Sequence, residues 1–286
     1  MSGQVIACVD VQSPLQALCD GAAWAAQGLS APLLLLQVLE RHPETAQHLD
    51  ATGQIGLGAQ EDLLEELVQL DQRRSALAQE QGRQVLEGMR TRAQAAGVPQ
   101  VDRLQRHGEL LETLGEVGAD ASLVVMGRHD HRLWAGHAPD HHIERVLRGH
   151  RRSVLMVPGQ QFVAPSSFVL ALGDGEDAAS LLERVSDHAL LRGLRCHLVR
   201  AGEHSLAHEV QMQQAAVHLR GAGLTVDVTL APGDVDAVVM GTVDRLGAQL
   251  LVMGAHGHSR LRQLVLGSTT TVLLRGSQVP VLVLSR

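Results

Sequence analysis

The sequence predicts an α/β protein built on parallel sheets, and three observations carry that expectation. Short apolar runs bounded by Gly, Pro, Asp or Ser alternate with longer segments of helical period, the pattern of strand-helix-strand units. The runs are nearly continuous in Val, Leu and Ile, as strands are when helices cover both faces of a sheet. They fall into two series of five, and the second repeats features of the first. A length of 286 residues suits two such units at roughly 100–200 residues per domain.

In chain order the first series of strands is 5–9 (VIACV), 33–39 (LLLLQVL), 101–106, 122–126 (SLVVM) and 153–157 (SVLMV). The second is 167–172 (SFVLAL), 195–200, 224–230 (LTVDVTL), 249–253 (QLLVM) and 279–284 (VPVLVL). Between the halves, GQQFVAPS at 159–166 replaces periodic sequence with Gly, Pro and Ser and reads as a linker, which leaves units at 1–158 and 167–286. VIACVD ends in Asp10 as VLALGD ends in Asp174, and SLVVMG ends in Gly127 as QLLVMG ends in Gly254. Arg148-Gly149 matches Arg275-Gly276 at the same offset of 127 that relates those glycines. The halves differ after their second strand. The first inserts ERHPETAQHLDATGQIGLGAQ and a long helix over about 61–97, whereas the second crosses in a few residues near 201–206. GQIGLG has the look of a dinucleotide loop. It does not run directly from a strand into a helix, so a lid or plain loop is the better reading.

Composition narrows the chemistry. All 24 basic residues are arginine, and lysine, tyrosine and asparagine are absent. P-loop NTPases, pyridoxal-phosphate enzymes and tyrosine/lysine short-chain reductases are thereby excluded, since each needs a lysine amine. The formal charge, 24 minus 31 or −7, is spread along the chain without a basic run, which argues against nucleic acid or an anionic membrane as partner. Cys8, Cys19 and Cys196 are too few and too scattered for a disulfide framework or a thiolate metal site, and the first two fall where inert buried thiols are expected. With no leader-like start and no run of ~18 apolar residues, the expected location is the cytoplasm.

The segment richest in chemistry is VMGAHGHSRLRQLVLGSTTTVLLRGSQVPVLVL, residues 252–284. Gly254 and Gly257 lie just past a strand, and after nine intervening residues Gly267 and Ser268 open a helix. Glycines let backbone N–H groups approach a phosphate, and a helix start adds unpaired N–H groups and the positive end of the dipole. Ser268, Thr269 and Thr270 can cap the helix or donate hydroxyls. Spacing alone leaves open a plainer reading of two turns and a capped helix. With no lysine, the nearby cations are Arg260 and Arg262, of which Arg260 is the better placed and is equally readable as a solvated loop residue.

Gly254, Gly257, Gly267 and Ser268, followed by a final PVLVL strand, resemble the ATP-binding signature of the universal stress protein family. VIACVD and VLALGD resemble that family's first strand with its terminal aspartate, so the resemblance covers nearly the whole chain as two tandem copies. It implies two open five-stranded parallel sheets of order 3-2-1-4-5 with helices on both faces, and a ligand across the carboxyl ends of strands one and four. It also implies that strands 153–157 and 279–284 meet inside the chain as an intramolecular pseudo-dimer. By position, Asp174 would approach the adenine and ribose edge and Val199 would line the base pocket. Met253, Gly254, His256 and Gly257 would pass under the ribose and phosphates, and Gly267, Ser268 and Thr269 would hold the phosphate end. Asp174 also reads as a simple cap for a helix starting near 176.

The first half keeps Gly127 but carries Asp130, Asp140 and His141 where the second has Gly257, Gly267 and Ser268. A carboxylate beside a polyphosphate repels it, and a side chain at a glycine position blocks the backbone approach. The expectation is therefore a stress-response regulatory protein that binds ATP, with or without magnesium, in its second half only. No general base, no metal-binding carboxylate pair and no G-x-S-x-G elbow is evident, so at most slow ATP hydrolysis is expected. One rival is the same fold without ATP, acting through protein contacts or another ligand. A more remote rival is a metal-dependent hydrolase using the histidine-rich loop, with His129, His131, His137, His141 and His142 among Asp130 and Asp140. A further homodimer of such pseudo-dimers stands as an alternative to the single chain.

Overall fold

The computed structural model describes residues 3–11, 13–40, 57–128, 141–149, 152–159, 161–173, 177–255 and 268–285. All the predicted strands form, within a residue or two of their expected ends. The first half runs β1 (Gln4–Cys8), α1 (Leu15–Gly28), β2 (Leu33–Leu39), α2 (Leu57–Ala95), β3 (Val101–His107), α3 (Leu110–Val117), β4 (Ala121–Gly127), α4 (His141–Gly149) and β5 (Ser153–Val157). The second runs β6 (Ser167–Ala171), α5 (Asp177–Asp187), a 3-10 turn (Ala189–Leu191), β7 (Arg195–Ala201), α6 (Leu206–Gly221), β8 (Thr225–Ala231), α7 (Val235–Leu246), β9 (Leu250–Gly254), α8 (Ser268–Gly276) and β10 (Val281–Leu284).

Within each half the order is 3-2-1-4-5, and all these pairs are parallel. The expectation of two separate sheets needs one revision. β5 and β10 pair antiparallel through Val281↔Met156, Leu282↔Leu155 and Val283↔Val154, joining the halves into one ten-stranded sheet ordered β3-β2-β1-β4-β5-β10-β9-β6-β7-β8. The cause is local: both strands are fully buried along this register, and an apolar edge left unpaired would expose its backbone groups and side chains alike. The pairing inside one chain is the one expected of a pseudo-dimer.

Each face of the sheet carries one core that runs across both halves. Leu155 and Leu282 lie with the buried faces of α1, α2, α5 and α6, and Val154, Met156, Val281 and Val283 lie with those of α3, α4, α7 and α8. Strand periodicity puts successive seam residues on opposite faces. Alanine makes α1 a close-packing helix, since Ala17, Ala22, Ala23, Ala25 and Ala26 are all buried. α2 has 39 residues, and among its described side chains those of the later turns join the core, through Leu86, Met89 and Ala93. Residues 66–70 and 72–81 of the helix are exposed. Among the described residues no helix is long and apolar enough to cross a membrane. The 159–166 segment is tied down by Phe162, whose ring lies 5.7 Å from that of Trp24 on α1.

Candidate functional site

The second half brings together the carboxyl ends of β6, β7 and β9. Leu170 lies opposite Val252, and Ala171 opposite Val199. The chain then continues between its neighbours, the N–H of Leu172 donating to the Val199 carbonyl at 2.9 Å. From β6 it turns to α5 on one face of the sheet, and from β9 it heads for α8 on the other. Connections that leave adjacent strands toward opposite faces open a crevice between them, the usual ligand site in such sheets.

The positions of the expected site residues are unequal. Gly254 ends β9 at the mouth of this crevice and is half-buried. Among the described residues, a Cβ built on it would meet only Leu181 of α5, at 3.8 Å. Ser268 opens α8, and Thr269 beside it is exposed, while Thr270 is buried. Val199 and Met253 have 0% and 4% exposure and pack with Val239 and Val243 of α7, so their side chains are core residues and offer a ligand almost no surface. Asp174, His256, Gly257, Arg260 and Gly267 lie outside the described residues, as do the 129–140 portion of the histidine-rich loop and the side chains of Ser268, His141 and His142. Among the described residues no group of three or more His, Cys, Asp or Glu is placed to hold a metal.

One cation went unnoticed in the sequence. Arg200 follows Val199 at the end of β7, is 2% exposed, and donates to Oε1 of Gln211 on α6 at 3.2 Å. Burial lowers its pKa from the ordinary arginine value. A charged residue directly after the apolar pair Leu198-Val199 of a strand is the signal that could have drawn attention to it. The thiols are all buried and unpaired with one another, and burial pushes Cys8 and Cys196 up to about 12 and Cys19 to about 11. None supplies a thiolate near neutrality.

The equivalent place in the first half is closed. After β1 the chain makes a tight turn in which Ser13 donates from both its N–H, at 3.0 Å, and its Oγ, at 2.7 Å, to the Asp10 carbonyl. This sets Ser13 directly over Gly127: a Cβ built on that glycine would be 2.9 Å from the serine Cβ and 3.7 Å from Cδ of Pro14. Gly127 is thus used for close packing of backbone on side chain, whereas Gly254 has no such close neighbour among the described residues.

The halves remain in register at this point. The N–H of Arg128 donates to the Val157 carbonyl at 3.0 Å, and the N–H of Ala255, 127 residues on, donates to the Leu284 carbonyl at 3.2 Å. The side chains differ. Nη1 of Arg128 crosses to the second half and donates to the carbonyls of Leu274 at 3.0 Å, Arg275 at 2.9 Å and Ser277 at 2.6 Å, at the end of α8. Arg275 in turn reaches Oε1 of the nearly buried Glu144 on α4 at 2.8 Å, and Arg148 reaches its Oε2 at 3.1 Å.

Known proteins agree with this architecture. A universal stress protein of Synechocystis, Slr1230, is 29% identical over 283 residues, covering 97% of this chain and 98% of its own. A crystal structure of a universal stress protein from Archaeoglobus fulgidus matches with a TM-score of 0.69 at 17% identity, covering 100% of this chain and 97% of that one. A protein of unknown function from Pseudomonas aeruginosa matches with a TM-score of 0.60 at 19% identity, covering 99% and 92%. These two structures, distant in sequence, share the fold. The model of the universal stress protein family matches residues 1–158 and 197–285, and the chain therefore belongs to the universal stress protein family.

Proposed function

We propose that the protein is a cytoplasmic regulatory module of the stress response that binds one adenine nucleotide, ATP with or without magnesium, in its second half only. The observation that carries the reading is the contrast between the two glycines at the ends of β4 and β9. Among the described residues Gly254 has only Leu181 near it, at 3.8 Å, and it heads the spacing Gly254, Gly257, Gly267, Ser268, whereas Gly127 is covered by Ser13 and followed by Asp130 and Asp140. Phosphate binding in the second half would rest on backbone amides and hydroxyls from Gly257, Gly267, Ser268 and Thr269, with Arg260 as the cation. Asp174 and His256 would flank the ribose. Such a set binds a polyphosphate without positioning a nucleophile, so turnover is expected to be slow or nil. Native mass spectrometry of the purified chain should show one nucleotide per chain, and Gly257→Asp should remove it. Two nucleotides would refute the asymmetry, and none would favour a stress protein working through contacts with other molecules.

A further inference from the structure

The geometry points to Arg128 as a positioning residue for the nucleotide site: the half that has lost its own motif clamps the helix whose start serves the other half. This rests on the nucleotide reading above and names how that site is held. α8 has nine residues, too few to be stable alone in water. Its last carbonyls have no partner within the helix. Leu273 accepts from the N–H of Ser277 at 3.0 Å, and the two N–H groups of Arg128 Nη1 are shared among the carbonyls of Leu274 and Arg275 in the last turn and of Ser277 just past it. The guanidinium also sits at the negative end of the helix dipole. A second tie from the first half, Glu144 to Arg275, lands on the same turn. The other end of this short helix is Ser268 and Thr269, so its order and aim depend on a residue that belongs to the opposite half.

The clamp runs one way. The residue equivalent to Arg128 is Ala255, which makes the matching backbone bond and has no side chain to reach α4. The residue equivalent to Glu144 is Thr271. Retaining the first half, despite its closed crevice, then has a physical reason: it supplies the cation that caps α8.

ATP titration by calorimetry on the full chain, with hydrogen exchange at the α8 amides, tests the role. Arg128→Gln should weaken ATP about tenfold (~1.4 kcal/mol) and speed exchange in α8, and Arg128→Lys, whose ammonium can still donate to several carbonyls, should restore most of the affinity. Gly82→Ala, placed in α2 of the first half, serves as a control for general destabilisation and should bind ATP as the wild type does. Equal affinity in wild type and Arg128→Gln would overturn the role and leave the site intact. A tenfold loss in the Gly82→Ala control as well would reduce Arg128 to a stability effect and overturn it too. Absence of ATP binding in the wild type would overturn the nucleotide reading and this role with it.

Discussion

His188 shows how one side chain can set a pH limit for the whole chain. It sits between α5 and the 3-10 turn, and its Nδ1 finds no hydrogen-bond partner among the described residues. Burial pulls its pKa down to about 4 from 6.5. The folded state therefore holds the neutral ring, and between pH 6.5 and 4 the unfolded chain binds more protons. The stability that depends on a neutral His188 is complete above about pH 6.5 and is lost as the pH falls toward 4, by up to about 3 kcal/mol over that window. Urea unfolding of wild type and His188→Gln across pH 4 to 7 measures the difference directly: the wild type should lose more stability than the variant on acidification. Parallel curves would mean the ring is hydrated in the folded chain. The same turn packs on the first half, where a Cβ on Gly28 of α1 would come within 2.6 Å of Leu190, so its acid sensitivity bears on the contact between halves.

At the scale of elements, α2 contains a matched pair of glycines that separates packing from propensity. A Cβ on Gly82 would stand 2.0 Å from Oε1 of Gln37 and 2.3 Å from Nε2 of Gln105, whereas one on Gly88 meets no atom of the described residues within 4 Å. The two glutamines are bonded to each other at 2.9 Å, and Gln37 is 4% exposed. Both substitutions to alanine gain the same helix propensity, about 1 kcal/mol. Gly88→Ala should keep that gain, while Gly82→Ala should forfeit it to an overpacking cost of about 1–3 kcal/mol, so thermal melts of the two should move in opposite directions. If both rise, the helix lifts off the sheet more easily than its packing suggests. Neither role is visible in the sequence, where both glycines look like plain helix breaks. What was legible was periodic: ten strands, the long α2, and a helix opening at Ser268 after Gly254. What was not legible depends on which way a side chain points at long range. VMG has no polar residue and HLV has one, His197, and nothing in either says that Val199 and Met253 face the α7 core, while a loop residue such as Ser13 or Arg128 carries no period to betray its partner.

On the scale of the molecule, the seam decides whether two halves behave as one. Apolar VPVLVL already suggested a covered edge, but the sequence did not indicate that both faces of that seam would feed cores shared by the two halves. Leu282 is fully buried opposite Leu155, in the core that also holds α1 and α5. Truncating such a leucine removes buried surface and leaves a cavity, typically a loss of 2–5 kcal/mol. If the sheet is one cooperative unit, that loss must be felt on the far side of the seam. Trp24 offers a local probe: both tryptophans, Trp24 and Trp134, are in the first half, and Trp134→Phe leaves Trp24 alone to report there, while far-ultraviolet circular dichroism reports the whole chain. In that background the two signals should unfold together in urea, and Leu282→Ala, a change in the second half, should lower both midpoints equally. A Trp24 midpoint that stays put while the dichroism signal splits would show that the halves melt independently. The clamp from Arg128 would then lose its footing, because a half that unfolds separately cannot hold α8 in place for its neighbour.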